Sequence, residues 1–311
     1  MGISREQALD CFKSDDLIGI GMEADAVRQR LHPEGVASYA LEGNVDAAAA
    51  WEPLCAAIER TVESGGTGVT LRGPVDTVEP VEWYERLFAN AKARFPVLWL
   101  HGLSASEILS IAQNSNLPVR DVILRLRDAG LDSIPGDDAG ILDDTAPQYG
   151  SRGKWSAPGW LEVHREAHAA GVQTTAAMTF GAGESFEQRL NHLEALRQLQ
   201  EETGGFCAFT PVSFQPRRAA VVGVEEATSV EYLKTLAISR MVLDNIANLQ
   251  ADLETQGLKV LQMALCFGGN DVGSLLLDNS DITEEDVRRV IRGAGFKPVQ
   301  RDTLYRMMFL S

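Results

Sequence analysis

Short apolar runs alternate with stretches of helical period along most of this chain, and no other feature narrows its fold as far. Such alternation is the βαβα signature of a parallel sheet or barrel. A helix over Ser4–Leu9 opens with the capping box Ser4-Arg5-Glu6-Gln7, and a second over Met22–Leu31 stops ahead of Pro33. The first strand reads Val36–Leu41, followed by a turn at Glu42-Gly43-Asn44 and a helix from Ala48 to Ser64.

Further strands are expected at Gly68–Gly73, Val97–Gly102, Leu131–Ile134, Thr174–Phe180 and Cys207–Phe214, with two weaker ones near Ala247–Ala251 and Asp271–Leu276. Helices at Glu82–Ala93, from Ser104, at Val119–Ala129, Pro158–Ala170, Ser185–Thr203 and Ser229–Ile246 separate them, and a last helix begins at Thr283. Ser104-Ala105-Ser106-Glu107 and Ser185-Phe186-Glu187-Gln188 are further capping boxes. About eight strand–helix units predict a single-domain α/β fold, a (β/α)8-type TIM-like barrel. An N-terminal helical segment, residues 1–35, would pack on a barrel of residues 36–311 that carries a C-terminal extension. A doubly wound open sheet is the alternative, weakened because no early Gly-x-Gly-x-x-Gly turn is present.

The formal charge of -16 disfavours nucleic acid or an anionic membrane as partner, since either needs clustered Lys and Arg. Neither a long apolar span nor a signal-like start is found, so a cytoplasmic protein is expected. Cys11, Cys55, Cys207 and Cys266 lie far apart and have no metal-ligand spacing. His164 and His168 share a helix face but lack a third ligand, so they read as a helix-surface pair and no metal site is expected.

Barrel enzymes work at the carboxyl ends of their strands. The polar residues collected there are Tyr39, Glu42, Arg72, His101, Ser104, Asp137, Asp138, Thr179, Glu184, Ser213, Gln215, Gln250, Asp252, Asn270 and Asp271. His101 suits a general acid or base, or the ordering of a loop. Asp137 and Asp138 could share an acid–base role or a magnesium ion, or form a solvated turn. Glu184 could hold a ligand hydroxyl or amine, or favour a helix dipole. Arg72 could clamp a carboxylate bidentately, or make a surface salt bridge.

The segments SGGTGVTLRG (Ser64–Gly73), EWYERLF (Glu82–Phe88), LHGLSASEI (Leu100–Ile108), AGLDSIPG (Ala129–Gly136), ETGGFCAFTPVSFQP (Glu202–Pro216), EYLKTLAISRMVLDNI (Glu231–Ile246) and GFKPVQRDTLY (Gly295–Tyr305) resemble, in order, the radical S-adenosylmethionine enzymes of futalosine-dependent menaquinone biosynthesis, the cyclic dehypoxanthinyl futalosine synthase family. The resemblance implies the same barrel. It also implies a C-x-x-x-C-x-x-C loop after the first strand, whose thiolates hold a [4Fe-4S] cluster that cleaves S-adenosylmethionine. Here the corresponding stretch is ALEGNVDAAAAWEPL, without cysteine, and the loop looks shortened. Cys55 stands alone inside the first barrel helix.

Other departures lie where the family holds its cosubstrate. The double glycine after the second strand has become Arg72-Gly73-Pro74, the glycine-rich turn after IPG has become Asp137-Asp138, and Gly140 replaces a glutamate. The acidic run that normally follows is reduced to LLLDNSD, Leu275–Asp281. Glu184 matches a family glutamate, and His101, Ser104, Thr179, Ser213, Gln215, Asn270 and Asp271 fall in segments that still resemble it.

The expectation is therefore a cluster-free homologue with no cofactor. It would bind a nucleoside-like or aromatic-carboxylate ligand at the barrel mouth and perform non-radical acid–base chemistry, in or beside menaquinone biosynthesis. Arg72 would clamp a carboxylate, Glu184 would hold a sugar or amine, and His101 with Asp137 or Asp138 would move protons. The alternative is a non-catalytic partner of an active radical enzyme, which predicts a hetero-oligomer in place of a homo-oligomer. Retained S-adenosylmethionine binding for methyl transfer is the least favoured.

Overall fold

A computed structural model describes residues 2–73, 78–147, 156–219, 221–276 and 282–308. Parallel strands β1 (Val36–Asp46), β2 (Gly68–Arg72), β3 (Trp99–Gly102), β4 (Ser133–Ile134), β5 (Gln173–Phe180), β6 (Phe206–Ser213) and β7 (Asn248–Leu249) pair in sequence order. Strand β8 (Asp271–Leu276) pairs with the other edge of β1. A parallel bridge between Gln250 and Asp271 closes the ring, with the Ala251 N–H donating to Asp271 O at 2.8 Å and the Asn270 N–H to Leu249 O at 3.1 Å. This one bridge brings the two ends of the sheet together into a nearly closed barrel, so the open-sheet alternative does not hold.

Helices α3 (Trp51–Glu63), α4 (Val81–Arg94), α5 (Ala105–Ser115), α6 (Val119–Ala129), α7 (Ala157–Ala169), α8 (Phe186–Thr203), α9 (Ser229–Val242), α10 (Leu253–Ala264, broken at Gly257 with φ 69°) and α11 (Glu284–Gly293) intervene between the strands. Their buried faces follow helical period; α6, for example, turns Val122, Ile123 and Leu126 to the core. Each such aliphatic side chain contributes about 1.5–3 kcal/mol on burial. Three capping boxes read from the sequence are present, at Ser4, Ser104 and Ser185. Before the barrel, α1 (Arg5–Lys13) and α2 (Leu17–Leu31) lie against α8 and α9, where Phe12 stacks on Phe186 at 5.0 Å and Lys234 Nζ donates to Ser14 O.

The expected turn at Glu42-Gly43-Asn44 is corrected by the structure: β1 continues through it, with Glu42 to Asp46 paired in register with Gly68 to Arg72. Turn propensity loses here to the parallel ladder with β2, reinforced at Glu42 by β8 on the other edge. Gly43 serves close packing instead, since a Cβ there would meet Thr61 Oγ1 of α3 at 2.2 Å. Alternation along β1 sends Ser38 and Glu42 inward and Tyr39, Leu41 and Val45 outward.

Two elements were not foreseen, α10 and a ninth strand, β9 (Lys297–Gln300). The latter pairs with Val36–Tyr39, below the point where β2 begins to pair with β1. The C-terminal segment is therefore part of the barrel wall. Beyond β9, Arg301, Thr303 and Tyr305 enter the lumen from below, and Gly68 leaves the space, because a Cβ there would meet Thr303 Oγ1 at 2.2 Å.

Candidate functional site

The lumen is a cavity of about 750 Å³ that opens at the carboxyl ends of the strands. Polar groups enter its wall from most of the strands, Glu42 from β1, Thr70 from β2, His101 from β3, Thr175 from β5, Thr210 from β6 and Ser274 from β8, between apolar side chains such as Val212, Leu253 and Leu275. Arg301, Thr303 and Tyr305 with Gln250 form the floor, and Arg72, Asp137, Arg218 and Glu254 stand at the mouth.

Glu42 is buried and accepts hydrogen bonds from Ser274 Oγ at 2.6 Å and Thr303 Oγ1 at 2.7 Å. On the floor, Arg301 is held by Asp271, donates to Gln250 Oε1 at 3.3 Å, and lies over the Tyr305 ring at 3.7 Å. The Tyr305 hydroxyl also donates to Gln250. His101 stands in register with Thr70 and Ser133, and its Nδ1 shares a hydrogen bond of 2.6 Å with Ser133 Oγ. Burial pushes its imidazole down to about 4, against the opposing pull of Glu42 and Asp137, so the ring is neutral at pH 7. Asp252 is nearly buried, which raises its pKa, and it caps α10 by accepting from the Glu254 N–H and Thr255 Oγ1.

At the mouth, Arg72 donates to both oxygens of Asp137, at 3.2 and 2.5 Å. Its fork is therefore engaged within the protein rather than presented to a ligand carboxylate. Asp138 turns the other way: buried, it accepts from Trp160 Nε1 and from the Ser106 N–H, each at 2.9 Å. The expected Asp137–Asp138 pair is thus divided by the turn that follows β4, one carboxylate in the cavity and one in the wall.

Several expected residues hold the frame. Tyr39 faces α11, bonded to Glu284 and Arg288. Ser104 caps α5, its N–H and hydroxyl both donating to Glu107, whose other oxygen accepts the Gly73 N–H. Glu184 accepts from the Gly181 and Ala182 N–H groups and from Arg189 Nε, which fastens the turn before α8. Ser213 receives Gln256 Nε2, and Gln215 donates to Glu226. The Thr179 N–H donates to Gly140 O, and Asn270 accepts the Leu249 N–H across the closure. Asp271 lies beneath the floor as the partner of Arg301. His164 is buried against Trp160, not on the helix surface, and His168 bonds Thr203 and Thr174. Residues 277–281 of the reduced acidic run, and Pro74, lie outside the described residues.

The sequence reading missed the C-terminal contribution. Its signal was the QRDTLY end of a segment already matched to the family, but no strand was read there, so Arg301, Thr303 and Tyr305 had no assigned direction.

Residues 203–310 match the family model described as CofH/MqnC C-terminal region. The chain is 34% identical to the cyclic dehypoxanthine futalosine synthase of Streptomyces coelicolor, covering 97% of this chain and 85% of that protein. The chain belongs to this futalosine-pathway radical S-adenosylmethionine family. A second member, the aminodeoxyfutalosine synthase of Thermus thermophilus, is 33% identical over 92% of this chain and 78% of its own length. The alignment with the Streptomyces family member spans 338 positions, more than the 311 residues here, so that relative carries residues this chain lacks. Among solved structures, methylornithine synthase (PylB) superposes with a TM-score of 0.73 at 14% identity, covering 96% of this chain and 94% of its own. The hydrogenase maturase HydG from Carboxydothermus hydrogenoformans gives 0.70 at 13%, covering 98% and 78%. These two likenesses bear on the fold.

The family's iron–sulfur cluster needs three thiolates at the head of the barrel. In this chain β1 passes into α3 through Ala47–Ala50, none of them a ligand. Cys55 lies inside α3, its thiol raised by burial; Cys207 is in β6, and Cys11 and Cys266 lie on other elements. The residues present do not fit the cluster.

Proposed function

We propose that this protein is a cluster-free member of its family that takes a small, polyhydroxylated, nucleoside-like ligand into the barrel lumen. Its relatives tie it to the futalosine route of menaquinone biosynthesis. The observation that carries the reading is the lining: hydroxyls of Thr70, Thr175, Thr210, Ser274 and Thr303, the Gln250 amide and the Glu42 carboxylate face one cavity. A set rich in acceptors suits ribose hydroxyls and the edges of a base. An aromatic carboxylate suits it less well, because Arg72, Arg218 and Arg301 are each already paired with a carboxylate.

Chemistry in this lumen would run through His101. With its pKa near 4 it is a weak base at neutral pH. Its part is then to polarise a carbonyl or hydroxyl by a hydrogen bond from or to Nε2, with Nδ1 oriented by Ser133.

The test is mass spectrometry of the small molecule released when the anaerobically purified protein is denatured, with iron and visible absorbance measured on the same sample. A nucleoside mass from a colourless protein is expected. A brown protein with about four irons per chain overturns the cluster-free reading.

A further inference from the structure

The charges around the lumen do not balance. Arg72 is spent on Asp137, Arg218 on Glu254 and Arg301 on Asp271. Of the remaining carboxylates, Asp252 is used in capping α10. Glu42 is different: it is 6% exposed, points into the cavity, and makes no ion pair among the described residues, the Arg301 guanidinium whose field reaches it being bonded to Asp271.

A buried carboxylate without an ion pair of its own is costly, and two hydroxyl donors offset only part of that cost. Each Glu42 oxygen accepts one hydroxyl and retains further acceptor capacity; Ser274 and Thr303, having donated their protons to Glu42, keep lone pairs of their own. Three acceptors from three distant chain segments, β1, β8 and the C-terminal floor, therefore meet at one point. Gly68 is there to admit the third.

We propose that the ligand of this lumen carries a protonated primary amine, and that Glu42 with Ser274 and Thr303 is the seat of that ammonium group. An ammonium offers three N–H donors and one positive charge, which matches three acceptors and one negative charge. His101 is neutral and adds no like charge, and the Arg301 guanidinium on the floor is offset by its ion pair with Asp271. The overall charge of -16 would draw such a cation toward the protein. The inference rests on the lumen being the binding site, and it adds the charged group that the ligand must bear.

Paired probes that differ only in ammonium against hydroxyl test it: 5′-amino-5′-deoxyadenosine against adenosine, and tetrahydrofurfurylamine against tetrahydrofurfuryl alcohol. Binding to the full chain at neutral pH is followed by ligand-observed NMR and calorimetry. Each amine is expected to bind at least about tenfold more tightly than its alcohol, the scale of a charge-assisted pair. Glu42→Gln should abolish that preference, and Ser274→Ala should reduce it. Equal affinities within both pairs, a preference that survives in Glu42→Gln, or no binding of any probe at millimolar concentration overturns the proposal. Adenosine binding without amine preference leaves the nucleoside reading standing alone. Amine-selective binding of the base-free fragment, with neither nucleoside bound, supports the ammonium seat and removes the nucleoside.

Discussion

Arg301 Nε lies 2.5 Å from Asp271 Oδ2 and its Nη2 lies 3.0 Å from Oδ1, with both side chains buried beneath the lumen. Asp271 also accepts from Ser38 Oγ and the Gly273 N–H, so its carboxylate joins β1, β8 and the C-terminal segment. Arg301→Met would strand that carboxylate. The expected loss is about 3–5 kcal/mol, as for other buried pairs broken from one side. Urea denaturation measures it, and Arg301→Met combined with Asp271→Leu should lose less than Arg301→Met alone. A loss below about 1 kcal/mol in the single variant would mean that the pair does not hold the floor.

Asp137 and Asp138 should separate cleanly in mutagenesis. Asp138→Ala leaves the buried Trp160 donor and the part-buried Ser106 N–H unpaired, the former worth about 1–3 kcal/mol, and should lower the melting temperature. Arg72→Ala removes a half-exposed pair and should change stability by less than about 1 kcal/mol, while altering ligand affinity in the lumen. The reverse pattern would place Asp138, and not Asp137, in the working site.

Four histidines are held neutral by burial. His101 and His168 are pushed down to about 4, His192 to about 3, and His164 well below its ordinary value. Because the folded values are lowered, the unfolded chain binds protons first as pH falls. The stability is fully present above about pH 6.5 and is lost progressively toward about pH 4. Melting temperature should therefore be flat near neutrality and drop across that window. His164→Phe, which removes two unpartnered ring nitrogens yet keeps a ring against Trp160, should leave stability at pH 7 unchanged or higher and make the acid slope shallower. A melting temperature independent of pH across the window would contradict the neutral assignments.

Glu42→Gln gives a stability readout independent of ligand. Gln keeps both hydroxyl partners and removes a buried charge that makes no ion pair, so the folded state should be as stable as the parent or more so. Residues that serve binding at the expense of folding behave this way. A destabilisation above about 1 kcal/mol, read by thermal or urea unfolding, would show that the charge supports the fold.

Much of the architecture was legible because its signals are local. The boxes at Ser4, Ser104 and Ser185 place three helix starts, and Val119–Ala129 and Asp271–Leu276 match the elements read from periodicity. The site was legible only in part. Glu42, Arg72, His101 and Asp137 face the lumen as expected, whereas Asp138, Glu184 and Ser213 sit near the strand ends yet turn toward helices and turns, and Tyr39 lies early in β1 and faces α11. A one-residue change of phase along a strand reverses a side chain, and a strand end read by eye leaves that phase open.

By itself the sequence determined most of the order of elements, which follows from periodicity along the chain, the lack of three thiols at the head of the first barrel helix, which follows from spacing, and, through the resemblance of its segments, the family. Only the tertiary structure decided which polar groups converge. The barrel's register carries β1 straight through an apparent turn, and residues from the far end of the chain close its floor. That Glu42 meets the hydroxyls of Ser274 and Thr303, more than two hundred residues away, is something no local pattern encodes.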